Sequence, residues 1–272
     1  MDKLPRNSAE KPATAARIYD CILGGVHNFP ADREVARKVI AELPFIPAGA
    51  RANRAFLRRA VRYLAAEGID QFLDIGSGIP TQGNVHEVAQ QVCPTARVVY
   101  VDIDPVAVAE SRDMLVGNER ATAVRGDLRD PQAILAHPEV RRLLDLSRPV
   151  GLLLIAVLHF VHHDAQAYDV VAQLLRALAP GSYLVASHIA AESFPPGAGK
   201  STPAGRAYDS QTATGLATLR NRPAIERFFT GLELVDPGIV WLPEWRPDPD
   251  ERSEFAENPV SSGGLAGVGR TT

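Results

Sequence analysis

Cysteine, lysine and aromatic residues are all scarce in this chain, and each shortage closes off a class of explanation. Cys21 and Cys93 are the two cysteines among 272 residues. That is too few for a disulfide framework, so a reducing, cytoplasmic setting is expected. Lysine and arginine together number 29 against 32 acidic residues, a formal charge of -3, which gives no basic field to draw nucleic acid or an anionic membrane. Long apolar runs are missing too. The best, Val150 to Val161, is interrupted by Gly151 and His159 and falls well short of the roughly 20 residues a membrane span needs. The opening MDKLPRNSAEKP has no apolar centre of a secretory signal. No internal repeat is visible. Gly197-Ala198-Gly199-Lys200-Ser201-Thr202 imitates a phosphate loop, but Phe194 stands where that pattern needs its first glycine and Pro203 follows, so it reads as a decoy.

What remains is 46% apolar, enough to bury the core of one large domain. Residues 1–13 read as a flexible polar arm. Residues 14–68 read as an N-terminal helical cap of three amphipathic helices, with Gly24-Gly25 and the Pro44 to Pro47 stretch as breaks. Residues 69–246 alternate short Val/Leu/Ile-rich runs with helical segments: QFLDIG, ARVVYVDID, ATAVRGDL, VGLLLIAVL and SYLVASHIA. That is the sequence form of an α/β, Rossmann-like parallel sheet. LELVD and GIVWLPEW read as a closing antiparallel hairpin. Phe194 to Ser210 reads as a mobile rim loop, and residues 247–272 as a largely unstructured tail.

The sharpest local signal is Phe72-Leu73-Asp74-Ile75-Gly76-Ser77-Gly78, a strand entering a glycine turn where wound sheets bind nucleosides. The dinucleotide fingerprint would require Gly or Ala at position 81, where Thr81 stands, and the next helix is delayed to Asn84, with Glu87 completing a capping box. A carboxylate at Asp74 would repel a pyrophosphate and suit a cation, and S-adenosyl-L-methionine carries a sulfonium and an ammonium. Asp102, ending the second strand, can accept both ribose hydroxyls, with Ile103 placed to pack on a base. Asp127 and Leu128 end the third strand, where a carboxylate can accept from an adenine amine. Each acid also has a plainer reading: Asp74 and Asp127 as turn caps, Asp102 as the N-cap of the helix from Pro105.

With FLDIGSG, VYVDIDP, GDL, LLLIAVLHFV and LAPGSYLVASH in register, the chain resembles class I S-adenosylmethionine-dependent methyltransferases from about Gln71 to Trp245. It departs from their pattern in lacking the third glycine of the first motif, since Ile79-Pro80 follows Gly78. ARIYDCILGGVHNFPADRE, RANRAFLRRAVRYL, PTQGNVHEVAQ and RNRPAIERFFTGLELVDPG resemble an actinobacterial methyltransferase family long known as a domain of unknown function. The resemblance implies a mostly parallel sheet of order 3-2-1-4-5-7-6 and S-adenosyl-L-methionine as cofactor, with Asp74, Gly76, Ser77, Gly78, Asp102, Ile103, Asp127 and Leu128 around it. The expected partner is a small-molecule methyl acceptor, methylated on oxygen or nitrogen. A non-catalytic binding module and an NAD-dependent oxidoreductase are the rival readings.

Arg17, Tyr19, Asp20, His27, Asn28, Asp32, Arg33, Asn53 and Arg54 make the cap either a lid over the ligand or a solvated face. Tyr19 and Asn28, inside the family-like stretch, are the preferred lid contacts. His159 follows the fourth strand and, by resemblance to small-molecule O-methyltransferases with a Leu-His pair there, is the candidate general base; otherwise it shapes the pocket or caps the next helix. His159, His162, His163, Asp164 and His188 invite a metal reading, but loop histidines are usually solvated and Asp164 reads as a helix N-cap. No metal is expected.

Overall fold

The computed structural model describes residues 12–80, 83–195, 202–212, 215–249 and 253–272. Thr81, most of the decoy phosphate loop and the first eleven residues of the expected arm lie outside the described residues.

Three helices come first, α1 (Ala15–Ile22), α2 (Pro30–Glu42) and α3 (Ile46–Ala66). Then β1 (Gln71–Ile75), α4 (Val85–Val92), β2 (Arg97–Asp102), α5 (Pro105–Met114), β3 (Ala121–Arg125), α6 (Pro131–Ala136), α7 (Pro138–Leu143), β4 (Gly151–Ile155), α8 (Asp164–Arg176) and β5 (Tyr183–Ile189) alternate as expected. After them come α9 (Pro203–Gln211), α10 (Arg222–Glu226), β6 (Glu233–Leu234), β7 (Val240–Trp241) and β8 (Gly264–Arg270). The sheet order is β3-β2-β1-β4-β5-β8-β6, with β7 also on β8. The first five strands are parallel, and β8 runs antiparallel to β5. This is the expected Rossmann-like α/β sheet with a different strand in the last inner place.

Strand side chains alternate between two cores. Phe72, Val98, Tyr100, Leu153 and Val185 pack with α3, α4 and α5. Leu73, Val99, Leu152 and Leu184 pack with residues of α6, α7 and α8. Asp74 shares the α3 side with Phe72, two residues earlier. The delayed α4 starts at Asn84 in the expected capping box, its backbone amide donating to Glu87 at 2.8 Å. The helix from Pro105 is capped by Asp104, not Asp102, through the Val106 amide at 2.9 Å.

Four expectations are corrected. The tail contains a central strand: β8 makes seven paired positions with β5, and its glycines read as loop because their reason is tertiary. A Cβ on Gly267 would lie 2.9 Å from Ile239, and one on Gly269 3.0 Å from Leu232. The hairpin does not form, because β6 and β7 each pair with β8 and together make one interrupted edge strand. Within the expected rim loop, Pro203–Gln211 is helical, capped by Thr202, with Tyr208 packed on the small core of Ala13, Ile18, Val35 and Ala36. Ala13, the last residue of the expected arm, is buried and bridges Thr212.

Among the described residues no helix is long and apolar enough to cross a membrane.

Candidate functional site

The carboxyl ends of β1 and β2 form the acidic half of the rim. Gly76 and Gly78 both adopt left-handed backbone, φ +76° and +68°, which L side chains resist. The turn is pinned from beneath, since the Gly76 and Ser77 amides donate to Val101 O at 2.8 and 3.2 Å. The two glycines differ in surroundings. A Cβ on Gly76 would strike Val157 at 2.3 Å, whereas one on Gly78 would meet nothing within 4 Å, so the loop is backed by protein at one end and open at the other.

Asp102 braces this turn. One of its oxygens accepts from the Gly78 amide and the other from the Asp104 amide, each at 2.8 Å. Burial pushes its carboxyl up to about 6, against those two hydrogen bonds, which hold it down. Asp74 is buried at 3% exposure. Burial pushes it up to about 7, with Arg54 opposing and Asp102 adding to the rise. Asp74, Ser77, Gly78, Asn84, Tyr100 and Arg54 line one small pocket. Ile103 stands 40% exposed on the rim and Leu128 is buried. Asp127 is paired with its neighbour Arg129 at 2.6 Å, so its carboxylate is already engaged.

The cap is tied to this rim at separate points. Arg17 is buried and bridges Asp32 at 2.9 Å and Asp104 at 3.2 Å, which joins α1 and α2 to the end of β2. The Tyr19 hydroxyl donates to Ala50 O at 3.1 Å and accepts from the Asn53 amide at 3.0 Å. Asn53 accepts from Ser187 at 2.6 Å, and Ser187 accepts from the Ala156 amide at 3.0 Å. Ala156 holds φ +52°, a strained value for a residue with a Cβ, at the end of β4. Asn28 is filled internally: its amide donates to Asp20 and Gly25 O at 2.8 and 2.9 Å and its oxygen accepts from Arg33, so it latches the Gly24-Gly25 turn.

The ends of β4 and β5 form the other half. His159 lies in a turn of 3-10 helix (Leu158–Phe160) and is 6% exposed. Its Nδ1 is buried without a hydrogen-bond partner. Burial first, then His188, Arg220 and His162, hold the imidazole well below its usual range. His188 donates from Nδ1 to Ile189 O at 2.7 Å and accepts at Nε2 from Arg220 at 2.9 Å. Arg220 escaped sequence reasoning, although it stands in the family-like RNRP stretch. It also donates to Asp164, Leu158 O and Val161 O at 2.8 to 3.1 Å, so the imidazole and carboxylate weighed as metal ligands converge on a guanidinium. Among the described residues no three His, Cys, Asp or Glu side chains are grouped to hold a metal. Asp164 is the first residue of α8, whose N-cap is His163.

A family model described as S-adenosyl methyltransferase matches residues 3–272. The chain is 41% identical to a crystallised candidate methyltransferase from Thermobifida fusca, over 98% of each chain with a TM-score of 0.85. It is also 41% identical to a DUF574 family protein from Streptomyces avermitilis, over 98% of this chain and 100% of that one, with a TM-score of 0.89. No curated protein matches it.

Proposed function

This chain belongs to the S-adenosyl methyltransferase family, and on that premise we propose that it transfers the methyl group of S-adenosyl-L-methionine to an oxygen or nitrogen of a small molecule. The observation that carries the reading is the Asp74 carboxyl, buried beside a glycine turn that is open at Gly78. A carboxyl held near neutrality by burial gains most from a cation placed against it. Asp74 therefore suits the ammonium end of the cofactor, and the buried, unpartnered Nε of Arg54 in the same pocket suits its carboxylate. Asp102 retains lone pairs for the ribose hydroxyls after holding Gly78 and Asp104, and Ile103 offers an apolar face to the base. Leu128 closes the adenine edge, where Asp127 accepts from the amine beside its Arg129 partner.

When bound, the cofactor supplies a methyl group already activated as a sulfonium. The protein is left to orient the acceptor and exclude water, which the Tyr19–Asn53–Ser187 chain does by fastening the cap to the rim. His159, neutral and with Nδ1 free, can take the proton of an attacking hydroxyl or amine. Its low basicity makes that help optional.

Calorimetric titration with S-adenosyl-L-methionine, its demethylated product S-adenosylhomocysteine, and NAD tests the cofactor. Saturable binding of the first two is expected. Binding of NAD alone would overturn the reading. Transfer of labelled methyl to a metabolite pool then separates a transferase from a binding module.

A further inference from the structure

A second cavity is larger than the cofactor pocket and touches it. It encloses about 1760 Å³, open solvent at its mouth included. One face of α3 forms its floor, with Ala48, Ala52 and Ala55 between Arg51, Arg54 and Arg58. The turn at Leu23 to His27 makes one wall, and Pro243, Pro247 and Ser253 to Phe255 make the other. Arg54 and Pro80 belong to both cavities.

The charges here are unevenly satisfied. Arg51 reaches across to Glu254 at 2.7 Å. Arg59 is buried and donates to Trp245 O and Leu242 O at 2.9 and 2.8 Å. Asp20 is occupied by the His27 amide and Asn28. Arg58, half-buried, lies with its stem across Gly83, where a Cβ would be 2.6 Å from its Cδ. Arg58 has no acidic partner among the described residues, whereas Arg54 faces Asp74 in the cofactor pocket. Elsewhere the deeply buried arginines, Arg17 and Arg220, are saturated by carboxylates and carbonyls. The unmatched guanidinium of Arg58, one helical turn from Arg54 and above a floor of small side chains, is one that a carboxylate or phosphate completes with charge-assisted hydrogen bonds.

We propose that this cleft takes the charged end of the acceptor and that it selects acidic small molecules, anchored through a carboxylate or phosphate on Arg58, beside the cofactor end at Arg54. The proposal deepens the methyltransferase reading and rests on it. Val26 and Phe255 on the walls give the acceptor's uncharged body an apolar surface.

The test uses the full chain saturated with S-adenosylhomocysteine, titrated with salicylate, its neutral analogue salicylamide, and inorganic phosphate. Saturable salicylate binding is expected, with salicylamide at least tenfold weaker. Arg58→Gln should weaken salicylate about tenfold or more while S-adenosylhomocysteine binds within twofold of wild type. Phosphate tighter than salicylate would keep the site and assign it to phosphorylated acceptors; the reverse order would assign it to carboxylic acids. Equal salicylate affinity in Arg58→Gln, salicylamide matching salicylate, an equal loss in Arg37→Gln on distant α2, or no binding of either anion would overturn it. Labelled methyl transfer confined to the neutral and cationic fractions of a metabolite pool would also overturn it. Failure of the cofactor itself to bind would instead sink the methyltransferase reading and leave the anion cleft standing.

Discussion

The two halves of the rim bury titratable groups in opposite ways. At the ends of β1 and β2, burial drives Asp74 and Asp102 up to about 7 and about 6, and both keep unused acceptor capacity. At the ends of β4 and β5, burial drives His159 well below its usual range and His188 down to about 4, while Arg220 fills almost every site around them. One desolvation cost thus produces a half waiting for a cation and a half closed on itself, with Nδ1 of His159 as its one orphaned side-chain atom among the described residues. The contrast extends to pH. The acids bind protons more tightly folded than unfolded, so their share of stability is full below about pH 4 and is lost as pH rises to 7. The histidines bind protons less tightly folded, so theirs is present above pH 6.5 and lost as pH falls toward 4.

Removing the hub of the closed half should have the largest effect. Arg220→Ala strands Leu158 O, Val161 O and His188 Nε2 and should cost about 3–5 kcal/mol in denaturant unfolding; a loss under about 1 kcal/mol would mean that the closed half does not depend on it. On the open half, Asp74→Asn should stabilise the protein without ligand at pH 8 by about 2–4 kcal/mol, the linkage from a carboxyl raised from 3.8 to about 7. The same change should weaken cofactor binding, and below pH 6.5 it should leave the histidine slope as the dominant one, so that the melting temperature drops faster in acid than wild type. A melting temperature unchanged at pH 8 would refute the raised carboxyl.

His159→Gln sharpens the comparison within the closed half. If Nδ1 takes a proton, kcat on an identified acceptor should fall about 100-fold and the acid limb of the pH profile should flatten; an unchanged kcat would assign the residue to packing. The smallest effect is expected for Asp102→Ala, about 1–3 kcal/mol in cofactor affinity by calorimetry, because other contacts to the ligand remain.

The acidic half was far more legible in the sequence than the closed half. Asp74, Gly76, Gly78 and Asp102 lie within two short strand ends, where a local pattern already implies which atoms meet. Ser187 meets Asn53 across 134 residues of chain and Arg220 meets Asp164 across 56, and no period or spacing encodes either. Asn28, read from the sequence as a lid contact, bonds Asp20, Gly25 O and Arg33 within its own turn, partners that its position in a helical stretch does not reveal.

Local sequence determined what depends on neighbours within a few residues: five apolar runs that become the parallel strands, the Asn84–Glu87 capping box, and the carboxylates set at strand ends. Their physical reason is backbone alternation and short-range hydrogen bonding, which the chain carries wherever it goes. Tertiary structure alone decided the rest. Gly264–Arg270 is a strand because β5 and the β6/β7 edge satisfy its amides on both sides while Ile239 and Leu232 press close enough to require glycine. The raised carboxyls, the lowered imidazoles and the unmatched guanidinium of Arg58 likewise follow from desolvation and charge pairing, which exist only once distant segments have packed together.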